Sequence, residues 1–75
     1  MYGVKQDYVE ALKWYKKGAA NGNVSSMSNV GWCYENGLGV TKDYAEALKW
    51  YRKAEARGYK EAAEHIKRVE KLLNK

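Results

Sequence analysis

Apolar residues recur at intervals of three and four positions in four stretches of the chain, and polar or charged residues fill the positions between them. This spacing places the apolar side chains on one face of an α-helix. The predicted helices begin at about residue 8, after Asn23 or a nearby serine, at about residue 44, and after Lys60. The pattern therefore predicts four antiparallel helices with short connections and no sheet.

Capping residues and glycines mark the ends of these helices. Asp7 and Asp43 are each followed three residues later by a glutamate, a form of the capping box in which the aspartate accepts hydrogen bonds from first-turn amides. Gly22 and Gly58 stand where a left-handed residue ends a helix. Gly31 lies inside the second helix, where it costs about 1 kcal/mol relative to alanine. We expect it to allow the close approach of a neighbouring helix or ring.

The chain repeats itself with a period of 36 residues. Aligning residues 3–22 with residues 39–58 matches 13 of 20 positions, and the repeat starts part-way through a unit, because Gly3 corresponds to Gly39. A fixed period of about 20 to 50 residues is typical of solenoids, in which each unit buries its apolar face against its neighbours. We therefore predict one domain, 1–75, made of a half repeat at 3–22, a near-complete repeat at 22–58 and a terminal segment at 59–75.

The terminal segment differs from the other helices. Charged residues cover most of its surface, and its apolar residues form a single stripe of Ala62, Ile66, Val69 and Leu73. The last unit of a repeat array has no further neighbour and needs a polar outer face. We therefore predict a capping helix, supported locally by ion pairs of Glu64 with Lys67 or Arg68.

One set of residues in the near-complete unit and its helices forms a specific motif. Its members are Val30, Gly31, Tyr34, Gly37, Gly39, Val40, Asp43, Ala47, Trp50, Tyr51, Lys53 and Ala54. This arrangement resembles the Sel-one-like repeat, a relative of the tetratricopeptide repeat. The period and the glycine–valine loop favour it over the 34-residue tetratricopeptide unit. The last helix lacks the glycine and tyrosine of a further unit, since Lys67 and Glu70 occupy those positions.

The resemblance implies a right-handed α-α superhelix of helical hairpins that acts as an adaptor or scaffold for protein complexes, without enzymatic chemistry. It does not imply a particular partner. Cysteine-rich secreted relatives pair a cysteine in each helix of the repeat, whereas Ser28 and Ala20 stand in those neighbourhoods, which disfavours a disulfide-stapled form. The early start of the repeat and the dedicated cap also fit an alternative, an excised, engineered or designed repeat fragment with no evolved partner.

Composition and charge exclude few classes of protein. The chain has 75 residues, 45% of them hydrophobic and ten of them tryptophan or tyrosine, which predicts a folded domain. No segment is long and apolar enough for a membrane span or a signal peptide, so we expect a soluble protein with no membrane partner. The single cysteine, Cys33, is compatible with the cytoplasm and is expected to be a buried apolar residue.

A net charge of +5 raises nucleic-acid binding as a third hypothesis. The basic residues recur in two equivalent stripes, Lys13, Lys16 and Lys17, and Lys49, Arg52 and Lys53. Glutamates interrupt both stripes, and we expect the tryptophan and tyrosine of each unit at packing positions that leave little surface for bases. The sequence therefore favours solvated helix faces and a protein partner.

The residues offer no catalytic, cofactor or metal-binding constellation. With one histidine and one cysteine there is no ligand spacing or nucleophile–base pair, so we predict that the chain is not an enzyme and needs no cofactor. His65 lies four residues after Glu61, a spacing that predicts a solvated link between the two side chains.

One aromatic residue is not explained by the repeat. Trp32 lies nearly opposite Val30 and Tyr34 on a helical wheel, on the same side as Ser25, Asn29 and Asn36. We predict that these four residues bind a peptide or protein on the concave face of the helices. The alternative is that Trp32 packs over the flank of an adjacent helix. Self-association through the open ends of the short solenoid is a further expectation.

Overall fold

A computed structural model describes residues 7–75 of the chain. All regular structure in this range is helical, in four helices: α1 Tyr8–Ala20, α2 Val24–Asn36, α3 Tyr44–Ala56 and α4 Ala62–Leu73. Each helix packs on the next along the chain. The predicted all-α solenoid of helical hairpins is therefore confirmed, and the alignment of Gly3 with Gly39 lies outside the described residues. None of the helices in residues 7–75 has the length and apolar character needed to cross a bilayer.

Side-chain caps start the first three helices. The side-chain oxygens of Asp7, Asn23 and Asp43 accept hydrogen bonds from backbone amides three residues later, at 3.2, 3.0 and 3.1 Å. These bonds satisfy amide groups that have no partner within the helix. The start of α4 is different, because Glu61 has helical backbone angles and its side chain makes no capping bond.

Glycine ends α1 as the sequence predicts. Gly22 has a φ of +88°, and its amide donates to the carbonyl of Ala19 at 3.0 Å. The amide of Asn23 donates to the carbonyl of Gly18 at 3.0 Å. These two bonds satisfy carbonyls of the last turn and redirect the chain into α2. Gly58 occupies the equivalent place after α3 with a φ of +101°.

Tyr51 of α3 is the largest fully buried side chain in the described residues, and a glycine makes room for it. An ideal Cβ on Gly31 would lie 2.9 Å from two ring carbons of Tyr51 and 3.2 Å from the carbonyl oxygen of Ala47. Any larger residue at Gly31 would therefore collide with the ring or with α3. The close approach of α2 to α3 thus depends on Gly31.

The other motif residues surround this contact. Tyr51 belongs to the larger of two apolar clusters, which contains buried residues of all four helices. The second cluster, on the α1 side, is formed by Leu12, Val30 and Cys33, with half-buried side chains packed against it. Cys33 is fully buried there, as expected. Asp43 caps α3, and Gly37 and Gly39 lie in the connection from α2 to α3. The motif residues with buried or half-buried side chains are Val30, Tyr34, Val40, Ala47, Trp50, Tyr51 and Ala54.

Two apolar residues are less buried than their helical pattern predicts. Trp14 was expected at a packing position, but it is 58% exposed. Its equivalent, Trp50, is half-buried because its ring packs between the two apolar clusters. Trp14 lies on α1 and, within the described part of the chain, packs against neither cluster. Leu73, assigned to the apolar stripe of α4, is its last residue and is 48% exposed.

Candidate functional site

The residues predicted to bind a partner form one stripe along α2. They are spaced by four, three and four positions, which keeps them on one side of the helix. Ser25, Trp32 and Asn36 are exposed, and Asn29 is half-buried. Gly31, which contacts Tyr51, lies on a different side of the same helix. The stripe is therefore accessible along the length of α2.

Trp32 is both packed and accessible. Its ring meets the ring of Tyr8 on α1 edge to face, with centroids 6.1 Å apart and planes inclined at 63°. The residue nevertheless keeps 39% of its surface exposed. The contact with Tyr8 fixes one side of the indole, and the remainder faces solvent. A ring held in this way loses little conformational freedom when it meets a ligand.

Asn36 closes the stripe at the end of α2. Its side-chain amide donates to the backbone carbonyl of Trp32 at 3.0 Å. This bond is made in addition to the helical bond that the same carbonyl accepts from the backbone of Asn36, and it holds the side chain against the end of the helix. It uses one N–H of the amide group, so the side chain retains a second N–H and an oxygen for a ligand.

A buried polar network joins α2 to α3 and α4. Glu35 is only 7% exposed, and its carboxylate accepts a hydrogen bond from the hydroxyl of Tyr51 at 2.8 Å. Arg68 donates to both carboxylate oxygens, from Nε at 2.7 Å and from a terminal nitrogen at 2.8 Å. Such a bidentate pair is among the strongest side-chain hydrogen bonds. The network holds three helices together through one carboxylate.

The charges in this network shift one another's pKa values. Burial alone would raise the pKa of Glu35, but the hydrogen bonds from Arg68 and Tyr51 and the charge of Arg68 lower it below its ordinary value. Burial raises the pKa of Tyr51, and the hydrogen bond to Glu35 raises it further. The bond to Glu35 also raises the pKa of Arg68. Glu35 is therefore ionised at neutral pH, and Tyr51 is neutral.

His65 belongs to this network, and its expected pairing with Glu61 is wrong. Its ring stacks on Tyr51 with centroids 4.9 Å apart and planes inclined at 20°. Its Nδ1 lies 2.8 Å from a terminal nitrogen of Arg68. A guanidinium only donates, so Nδ1 is the acceptor in this contact. The expected pairs of Glu64 with Lys67 or Arg68 are wrong too: Arg68 bonds to Glu35 and His65, and Lys67 forms no ion pair within residues 7–75.

Only weak signals in the amino-acid sequence point to this network. Glu35 stands next to residues of the exposed stripe, and its partners are 16 and 33 residues away along the chain. Only the unusual presence of a glutamate near Gly31 could have drawn notice, because a buried carboxylate requires a partner.

The two tryptophans of the repeat carry the same local polar contacts. The indole N–H of Trp14 donates to Glu10 at 3.1 Å, and that of Trp50 donates to Glu46 at 3.2 Å. A lysine ammonium lies over each ring, Lys17 over Trp14 at 4.8 Å and Lys53 over Trp50 at 4.7 Å from the centroid. The basic stripes are therefore partly engaged with aromatic rings.

The described residues contain no group of three potential metal ligands. Cys33 is buried, and burial raises the pKa of its thiol, which disfavours the reactive thiolate.

The helical hairpins, the buried Tyr51 against Gly31 and the exposed stripe define an α-solenoid of the repeat class. The Sel1 repeat family matches the chain over residues 1–23 and 24–59. The chain therefore belongs to the Sel1 repeat family, whose repeats mediate protein–protein interactions and are not catalytic. No curated protein and no solved structure matches it.

Proposed function

We propose that this chain is a non-enzymatic interaction module that binds a protein segment along the α2 stripe, on the concave side of the solenoid. The observation that carries the proposal is the indole of Trp32, which is 39% exposed and is held by Tyr8. Tryptophans dominate the energetics of protein interfaces when they fill a pocket on the partner. Family membership supports the coarser statement, a role in protein–protein interaction.

The polar residues of the stripe suit an extended backbone. Ser25, Asn29 and Asn36 lie on the same side of α2 as Trp32, at intervals of about one helical turn. Their hydroxyl and amide groups can both donate and accept. The expected ligand is therefore a peptide segment that inserts one apolar side chain beside the indole and pairs its backbone with these side chains.

We also propose that residues 3–22, 22–58 and 59–75 act as half repeat, repeat and cap of one domain. Lys67 is the 36-residue equivalent of Gly31. In a further repeat unit, the ring equivalent to Tyr51 would meet the Lys67 side chain, whereas Tyr51 itself packs against Gly31. This difference supports a terminal role for α4.

The test is capture of proteins from a lysate of the source organism by the wild-type chain and by two tryptophan variants. Trp32→Ala removes the proposed anchor. Trp14→Ala is the matched control, because Trp14 is also exposed but lies on α1 outside the stripe. We expect specific proteins bound by wild type and Trp14→Ala to be lost with Trp32→Ala, since truncating a buried aromatic anchor costs about 2 kcal/mol or more, roughly thirtyfold in affinity.

Thermal unfolding of the same variants separates binding from folding. Trp32→Ala should lower the midpoint by about 2 to 12 °C and leave a cooperative transition, because an edge-to-face aromatic pair contributes about 0.5 to 1.5 kcal/mol. Unfolding of Trp32→Ala would make Trp32 a core residue and overturn its assignment to the binding surface. Capture of nucleic acid that is lost at high salt would favour the basic faces instead. Absence of any specific protein would favour a repeat fragment without an evolved partner.

A further inference from the structure

A second surface, on the α1–α3 side of the molecule, has the chemistry of a binding groove. A concavity of about 550 Å³ lies between α1 and α3 above one residue of α2. This volume falls within the range of ligand pockets. We name it the α1–α3 groove. Its apolar part includes Ala19, Met27 and Trp50, and its basic part consists of Lys16, Lys53 and Arg57.

The apolar side chains of the groove are already held in place by the core. Met27 and Ala19 are 4% and 6% exposed, so they are already packed into the core and present only a small surface to the groove. Trp50 is half-buried between the two apolar clusters. Its position is fixed further by the hydrogen bond from its indole N–H to Glu46. A ligand side chain entering here would meet rigid apolar surface and would order little of the protein.

The basic residues of the groove are not neutralised by acidic residues within the described part of the chain. Among residues 7–75, none of the three groove cations forms an ion pair, whereas Lys49, Arg52 and Arg68 each pair with a glutamate. No aspartate or glutamate lines the groove. Three positive charges around one concavity attract negative charge and repel cationic ligands. The groove is therefore complementary to an acidic ligand.

The rings in the groove favour a peptide over single-stranded nucleic acid. Base stacking requires an open aromatic face. The ammonium of Lys53 lies 4.7 Å from the centroid of the Trp50 ring, over its face, and the ring packs against both apolar clusters. The ring therefore offers an edge for an aliphatic side chain rather than a face for a base.

We propose that the α1–α3 groove binds an acidic peptide segment of a partner protein, with one aliphatic side chain placed over Met27 and its carboxylates near Lys16, Lys53 and Arg57. This site lies on different helix faces from the Trp32 stripe and does not depend on it. The chain would then hold two protein segments at once, one on each side.

The test is fluorescence anisotropy with a labelled twelve-residue peptide that carries a central leucine flanked by glutamates. The variant Lys53→Glu/Arg57→Glu reverses two charges of the groove. The matched control, Lys13→Glu/Lys60→Glu, makes the same change in net charge at exposed residues outside the groove. We expect the groove variant to weaken binding by at least about tenfold, the control variant to weaken it by less than about threefold, and Trp32→Ala to leave it unchanged.

Two further probes decide the chemistry of the ligand. A peptide with lysine in place of each glutamate should not bind, and a peptide with alanine in place of leucine should bind more weakly. Equal losses in the two double variants, or equal binding of the lysine peptide, would overturn the proposal. Tighter binding of twelve-residue oligothymidylate, lost in the groove variant, would overturn it in favour of nucleic acid. Retained peptide binding in Trp32→Ala separates this site from the α2 stripe.

Discussion

Replacing Arg68 by methionine tests the buried network of Glu35 directly. The substitution keeps most of the aliphatic stem and removes the bidentate pair with Glu35, whose contacts are 2.7 and 2.8 Å. The carboxylate would remain buried with only the hydroxyl of Tyr51 as a partner. Removing one partner of a fully buried pair typically costs about 3 to 5 kcal/mol. Because Arg68 itself is 46% exposed, water can enter where it stood, and we expect a smaller loss of about 2 kcal/mol.

A loss of this size is large for so small a domain. Stabilities of about 0.05 to 0.15 kcal/mol per residue are usual, so the whole chain is expected to have a free energy of unfolding of about 4 to 11 kcal/mol. The variant should therefore lose a substantial part of its stability. A change of about 1 kcal/mol shifts the thermal midpoint of such a domain by about 4 to 8 °C. We expect the Arg68→Met midpoint to fall by about 8 to 16 °C.

The exposed pair between Arg52 and Glu70 supplies the control. Its shortest contact is also 2.7 Å, but the two side chains are 56% and 45% exposed, against 7% for Glu35. Exposed pairs contribute about 0 to 1 kcal/mol. Arg52→Met should therefore cost clearly less than Arg68→Met, although both remove an arginine–glutamate contact of the same length.

Acid should reduce the difference in free energy of unfolding between wild type and Arg68→Met. The pKa of Glu35 is lowered in the folded protein from its ordinary value of 4.5, so its contribution is present above pH 4.5 and is lost as the pH falls through the folded pKa. In the variant, burial without Arg68 favours the protonated form, and acid relieves the cost. Urea unfolding at neutral pH and near pH 3 measures both gaps. Equal costs for the two arginine variants, or a gap unchanged by acid, would refute the assigned role of Arg68.

Two further predictions concern packing. Gly31→Leu should lower the free energy of unfolding by about 1 to 3 kcal/mol, because its side chain would enter the space of Tyr51 beside Ala47. This loss should exceed that of Gly22→Ala. Matching urea midpoints for the two variants would contradict a contact role for Gly31. Deleting residues 60–75 removes the ring stacked on Tyr51 and should cause self-association or unfolding, as measured by size-exclusion chromatography and thermal melting. A deletion variant that stays monomeric and equally heat-resistant would show that α4 is not a cap.

Local sequence determined the helices and their order. The caps at Asp7 and Asp43, and the glycine that ends α1, act within a few residues of their own position, so the pattern alone located the helix ends. The 36-residue repeat of capping and packing residues identified the family, because it can be read from the order of residues alone. The contact role of Gly31 could be predicted because a glycine inside a helix lowers helix stability unless it allows a close contact.

Tertiary structure decided which equivalent residues are buried and which polar groups meet. Trp14 and Trp50 have nearly the same neighbours in sequence, but within residues 7–75 Trp50 packs against both apolar clusters and Trp14 against neither. The partners of Glu35 lie 16 and 33 residues away, a separation that no helical spacing predicts. Burial depends on what packs against a face, and that is set by the arrangement of the helices, which local periodicity does not contain.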